Sequence, residues 1–363
     1  MNYKRMIFIL ILLILMVVAL FSIFQKDDYD QTVKESLAAE MFIKDHLYDS
    51  EGLIKTDLLS QSDVYLSEST GLWMEYLVYK NDRDEFNKQF QTLSKHFIAE
   101  NSLIPWRIVE NRQAEANALI DDLRIAKALF QAGEAWNEKK FNRLAEDISV
   151  SIEQYNMLGD HFIDHVDIKH HVNGDYLTLS YLDPEAIDIL YEKELLSASQ
   201  YNTNRNVLLN APTSSTGFFP KTYYPEGNRY EFDQEVNLID QYYVGYHRAL
   251  WGGEVGALVQ FTKESLSRHR GVLYGRLSNK SGKPTVDYEG ASVYGLAILM
   301  CLEVKEYDLA RQLYTEMKKF QVTDESSDYN GGYVDPDTLK THSFDNLIPL
   351  IAERRGLDEG IYQ

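Results

Sequence analysis

The 363-residue chain is 44% hydrophobic and 25% charged, with a formal net charge of −20. That balance excludes a disordered chain, and the excess of carboxylates excludes partners held by basic surfaces, nucleic acid and anionic lipid head groups among them. The lone cysteine, Cys301 in LAILMCLEV, excludes an intramolecular disulfide and reads as a buried, inert thiol.

Residues 6–24, MIFILILLILMVVALFSIF, hold one polar residue, Ser22. Nineteen such residues span a bilayer as a helix. Lys4 and Arg5 precede them, which predicts a cytoplasmic tip (1–5), a single-pass anchor (6–24) and an extracellular remainder. A cleaved signal peptide is the alternative, but the run ends FSIFQKDD without small residues at a cleavage site. From residue 30 the apolar spacing is mostly helical. It predicts helices over 31–47, 69–80, 83–98, 118–133, 138–157, 185–197, 199–209, 237–249, 252–267, 291–303, 306–318 and 343–352. HVDIKHHVNGDYLTLSYLD (165–183) alternates around Asn173-Gly174 and predicts a β-hairpin. GVLYGRLSNKSGKPTVDYEG (271–290) predicts an irregular or strand-bearing excursion. No Pro/Gly/Ser linker divides residues 30–363, so they read as one mainly α domain, a closed barrel of paired helices.

His161 and His165 have the i, i+4 spacing of zinc ligands, but the run HFIDH lacks the glutamate of H-E-x-x-H and no cysteine supports a site. With His170 and His171 they read as loop histidines. DESSDYNGGYVD (324–335) does not keep EF-hand spacing and reads as a turn. No metal or cofactor is expected. Three carboxylate clusters remain: Glu68 in LSEST, Asp121 and Asp122 in ALIDDLRI, and Asp233, Glu235 and Asp240 in YEFDQEVNLIDQYY. Each alone fits the acidic start of a helix.

Taken together these segments resemble glycoside hydrolase family 8, the inverting endoglycanases. The family's acid segment, Ser-Glu-Gly before an aromatic, apolar helix, is matched by Ser67-Glu68-Ser69 and GLWMEYLVYKNDRDEF. Its signature is matched in ALIDDLRIAKALFQAGEAW at Ala118, Asp122, Ile125, Ala126, Ala128, Leu129, Ala132 and Trp136. Its aromatic-Asp-Ala base segment is matched by Phe232-Asp233-Gln234. The chain departs from the pattern at Ser69, at Ile120 (where the signature's first Asp falls), and after Asp233.

The resemblance implies an (α/α)6 barrel and an inverting glycosidase acting on a β-linked polysaccharide. Glu68 is then the general acid and Asp233 the base, with Asp240 in reserve, and the two carboxyls are expected roughly 6.5–9.5 Å apart. Asp122 joins the catalytic set or, with Asp121, holds sugar hydroxyls. Trp73 and Tyr65 are expected to supply the apolar setting that raises the pKa of Glu68. Trp106 and Tyr243 are expected near the cleft, and Trp136 on the core stripe of its helix. The implied partners are an exopolysaccharide and its synthesis machinery at the membrane. A non-cutting glycan-binding component on the same fold is the alternative.

Overall fold

In the computed structural model, which describes residues 33–362, the periodic segments fold as twelve α-helices among the described residues. They are α1 (Ala38–Phe42, continued by a π turn, Ile43–Leu47), α2 (Ser67–Lys80), α3 (Arg83–His96), α4 (Leu119–Ala135), α5 (Lys139–Tyr155) and α6 (Pro184–Glu192). The second half holds α7 (Ala198–Leu209), α8 (Leu238–Leu250), α9 (Gly256–Arg268), α10 (Ala291–Glu303), α11 (Tyr307–Met317) and α12 (Ser343–Asp358). Local chemistry sets many of the boundaries. The side chains of Asp82, Asp183, Ser197 and Asn237 accept hydrogen bonds from free N–H groups at the starts of α3, α6, α7 and α8. Asn81 ends α2 in the left-handed conformation.

The even-numbered helices close a ring: α2, α4, α6, α8, α10 and α12 each pack on the next, and α12 returns to α2. The odd-numbered helices lie outside, with α9 tied to α8 by the Tyr242 and Thr262 hydroxyls at 2.8 Å. This is the (α/α)6 arrangement. Composition separates the two layers. In α10 every residue from Ala291 to Leu302 is buried, as an inner helix requires. In α5 the buried residues, Phe141, Ala145, Ile148, Ser149, Ser151 and Ile152, keep to one stripe.

Short antiparallel strands occupy the loops. β1 (Val64–Leu66) pairs with β2 (Arg107–Val109), which pairs with β3 (Arg112–Gln113). β4 (Met157–Leu158) pairs with β5 (His161–Phe162). β6 (Leu177–Thr178), β7 (Thr222–Tyr224) and β8 (Arg229–Glu231) form a second three-stranded piece, and β9 (Glu235–Asn237) pairs with β10 (Arg276–Ser278). β1 and β9 run straight into α2 and α8, which fixes how those helices begin.

The hairpin expected around Asn173-Gly174 does not form. Asp167 accepts hydrogen bonds from the N–H groups of Lys169 and His170, and its own N–H bonds Val172. The chain therefore reverses at residues 167–172, leaving one bridge, Val166 to Asn173. The 271–290 stretch contributes the single strand β10. The expected anchor (6–24) and cytoplasmic tip (1–5) lie outside the described residues. No helix among the described residues is long and apolar enough to cross a membrane.

Candidate active site

Several inner helices begin at one mouth of the ring. Ser67 at the start of α2 donates to Asp121 Oδ2 of α4 (2.6 Å), and Ser69 meets Ser343 of α12 (2.7 Å). Ser180, just before α6, donates to Asp240 Oδ1 of α8 (3.2 Å). Glu68, Asp121, Asp240 and Asp345 all stand in the first turns of these helices. Ser69, which replaces the expected glycine, thus ties two inner helices together.

Glu68 is partly exposed and lines a cavity of about 530 Å³ with Leu66, Ile239, Tyr288, Phe344 and Asp345. An adjoining cavity of about 510 Å³ shares Glu289, Gly290, His342 and Asp345 with it. Burial pushes the Glu68 carboxyl up to about 8, the nearby Asp121 charge adds to the rise, and Arg124 opposes it. Burial also raises Asp121, yet Asp121 takes the Ser67 hydroxyl and the Arg124 guanidinium (3.0 Å), both of which favour its ionised form. Of the two carboxyls, Asp121 is the one with a hydroxyl and a cation in contact to hold its charge.

Trp73 has no part in this setting. It is fully buried, stacked on Tyr76 at 5.3 Å and edge-on to Tyr48. Tyr65 lies beside Asp49 instead, and burial and that carboxylate push its hydroxyl up to about 12. The expectation is corrected for these two residues: Leu66, Ile239, Tyr288 and Phe344 line the cavity beside Glu68, and the charges of Asp121, Arg124 and Asp345 act on it. Tyr243 is nine-tenths buried and receives a hydrogen bond from Arg124 Nη2 (3.3 Å). Asp122 is also corrected. It is wholly buried, is held by Asn117 Nδ2 at 2.8 Å and lies out of reach of a sugar. Trp136 is a core residue, edge-on to Phe86 and Phe141.

Asp233 sits in the loop between β8 and β9 with its side chain 44% exposed, 3.5 Å from Lys221 Nζ. The same Lys221 lies 3.7 Å from Asp240, whose side chain is 21% exposed. Burial raises the Asp240 carboxyl, and Lys221 and Ser180 oppose the rise. Asp164 lies nearby, bonded by Thr178 Oγ1 at 2.6 Å and pushed by burial up to about 6. Tyr181 links the two halves: its hydroxyl, raised by burial, lies in the combined field of Asp164, Asp121, Asp240 and Glu68. Trp106 is 37% exposed and lines a separate hollow of about 620 Å³ with His165, His170 and Val172, while its carbonyl accepts from Ser67 N at 3.1 Å.

Sequence reasoning missed Arg124, Asp164, Tyr181 and Asp345. Asp164 was in view in HFIDH but was read only against zinc. Arg124 was detectable as the cation one turn after Asp121 on α4.

Comparison with known proteins gives four likenesses. A sequence model described as Glycosyl hydrolases family 8 matches residues 13–248. The Bacillus subtilis (strain 168) lipoprotein YdaJ is 40% identical over 326 residues, 90% of this chain and 88% of that one. Two solved structures cover 88% of this chain and 96% of their own. One is called a novel alpha-amylase from Clostridium perfringens (26% identical, TM-score 0.80), the other PssZ from Listeria monocytogenes (24% identical, TM-score 0.73).

Proposed function

Because the chain belongs to glycosyl hydrolases family 8, we propose that it is an extracytoplasmic, endo-acting glycosidase that cuts a β-linked exopolysaccharide with inversion. Glu68 is the general acid. It delivers its proton to the leaving oxygen, a task that needs a carboxyl still protonated near neutral pH. Asp240 is the base that activates water on the opposite face of the sugar, and the Tyr181 hydroxyl lies in the field of both carboxyls. Asp121, fixed by Ser67 and Arg124, receives sugar hydroxyls, and Trp106 offers a face to a sugar ring further along the chain. The observation that carries this reading is the unequal pair Glu68 and Asp121, in which only Asp121 has a cation and a hydroxyl to hold its charge. Asp240 is preferred to Asp233 because it is mounted on the first turn of an inner helix, as Glu68 is, whereas Asp233 stands half-exposed on a loop. The likeness to a protein called a lipoprotein supports placement at the outer membrane face. The likeness to a protein called an alpha-amylase favours a second reading in which the linkage is α.

The test uses β-linked glycans, starch and the producer's own exopolysaccharide. Glu68→Gln and Asp240→Asn should each lose about 10²–10⁴-fold in kcat, with the fold kept by circular dichroism, while Asp233→Asn stays within about tenfold. NMR of the fresh product should show the inverted anomer. If Asp233→Asn is as damaging as Glu68→Gln and Asp240→Asn is not, the base is Asp233. Retention of configuration would remove the inverting mechanism, and cleavage of starch alone would select the α-linked reading.

A further inference from the structure

Below the mouth, the centre of the ring is filled by charge. Glu75, two turns down α2 from Glu68, faces Arg124 (Oε2 to Nε 3.9 Å) and Lys127 (Oε1 to Nζ 3.2 Å). Arg124 meets Asp121 at 3.0 Å, and Lys127 meets Asp183 at 2.8 Å and Glu185 at 3.2 Å. Down the axis the signs alternate: Asp121, Arg124, Glu75, Lys127, then Asp183 with Glu185. All but Glu185 are buried, and none of them lines a cavity described above. A buried cation is tolerated where anions and hydrogen bonds surround it.

We propose that Glu75 is a positioning residue for hydrolysis: it holds Arg124 between itself and Asp121 and cancels part of the field that Arg124 exerts on Glu68. The proposal rests on Glu68 being the acid. An isolated guanidinium beside Glu68 would favour the carboxylate and strip the acid of its proton. With Asp121 above and Glu75 below, the guanidinium is nearly neutralised.

The other groups facing this line do not replace Glu75. Tyr79 of α2 donates to Glu75 Oε1 at 3.0 Å. Tyr243 of α8 takes a hydrogen bond from Arg124, and His247 of α8, pushed by burial down to about 4, is neutral. Asp345 shares the cavity of Glu68, and the Tyr181 hydroxyl lies in the field of that carboxyl. Tyr246 and Arg355 lie lower, beside Tyr79. Of these only Asp345 is an anion near Glu68, and it touches Ser292, not Arg124.

Seven residues of helix put Glu75 about 10 Å below Glu68. A unit charge at that range, in an effective dielectric of about 20, moves a pKa by about one unit. The experiment is the pH profile of kcat/KM for the full chain and for Glu75→Gln, Glu75→Asp and Glu185→Gln. Glu75→Gln should move the basic limb down by about one pH unit and leave kcat on the acid side within about threefold. Glu185→Gln, which removes a carboxylate from the same Lys127 but not from Arg124, should leave the limb within about 0.2 unit. Glu75→Asp keeps the charge but withdraws it by one methylene and should give a smaller shift of the same sign, which also covers a Glu75→Gln chain that fails to fold. An unmoved limb in the Glu75 variants, or an equal shift in Glu185→Gln, overturns the proposal. Activity retained by Glu68→Gln would instead overturn the acid assignment, so the two failures are distinct.

Discussion

Glu68, the acid of the proposed reaction, is also a local weakness. Its folded pKa, about 8, lies above the ordinary carboxyl value, so the folded chain binds more protons than the unfolded chain between roughly pH 4 and 8. Stability from this group is therefore whole at low pH and falls as pH rises toward 8. Glu68→Gln should melt close to wild type at pH 5 and several degrees above it at pH 8.5. A wild type that is the more stable at pH 8.5 would show that Glu68 is not held neutral. At this scale the sequence disclosed which residue types matter better than which neighbour does the work. Glu68 was legible as a helix-start carboxyl because Ser67, Glu68 and a helical run are contiguous. Asp121 and Asp122 were not separable, because one step along a helix start turns one carboxyl to the mouth and the other into the wall. Trp73 sits only five residues after Glu68, yet that places it a turn deeper, on the core side.

Elements were legible where one period dominated. The spacing alone finds all twelve helices, but the expected α1 starts seven residues early, the expected α6 overruns its end by five and the expected α12 stops six short. The failed hairpin shows the limit. Asn-Gly favours a two-residue turn, but Asp167 makes three local hydrogen bonds that reverse the chain earlier. The acidic loop 324–335 is a turn with a packing task that its composition did not reveal. Gly331, at φ +88°, lies against α1, and a Cβ there would collide with the Ala38 carbonyl. Gly331→Ala meets both a disfavoured backbone region and a clash with backbone, a combination worth about 2–3 kcal/mol of destabilisation. Urea unfolding should show this loss, with kcat at low temperature unchanged. A neutral result would mean that α1 can shift away from the loop at little cost.

For the whole molecule, ring closure follows from the alternation of apolar and amphipathic helices, but its consequence for charge is visible only once the helix starts are brought together. A chain with 56 acidic and 36 basic residues gathers Glu68, Asp121, Asp240 and Asp345 at one mouth. Of the cations near it, Lys221 is shared between Asp233 and Asp240, Arg276 is paired with Glu235, and Arg124 lies under Asp121. The mouth thus repels a polyanion over a distance set by salt, about 10 Å at 0.1 M and 30 Å at 0.01 M. A carboxylated glycan should therefore be cut more slowly than its neutral parent at 10 mM salt, by roughly an order of magnitude in kcat/KM through slower encounter. Raising the salt to 0.5 M should close most of that gap and leave the neutral substrate almost unchanged. The gap must appear in kcat/KM and not in kcat, since repulsion acts on approach and leaves the bound sugar's chemistry alone. A carboxylated substrate that is preferred at low salt would mean that Lys221 or Arg276 leaves its carboxylate partner to meet the glycan, and the mouth would have to be redrawn around those two cations.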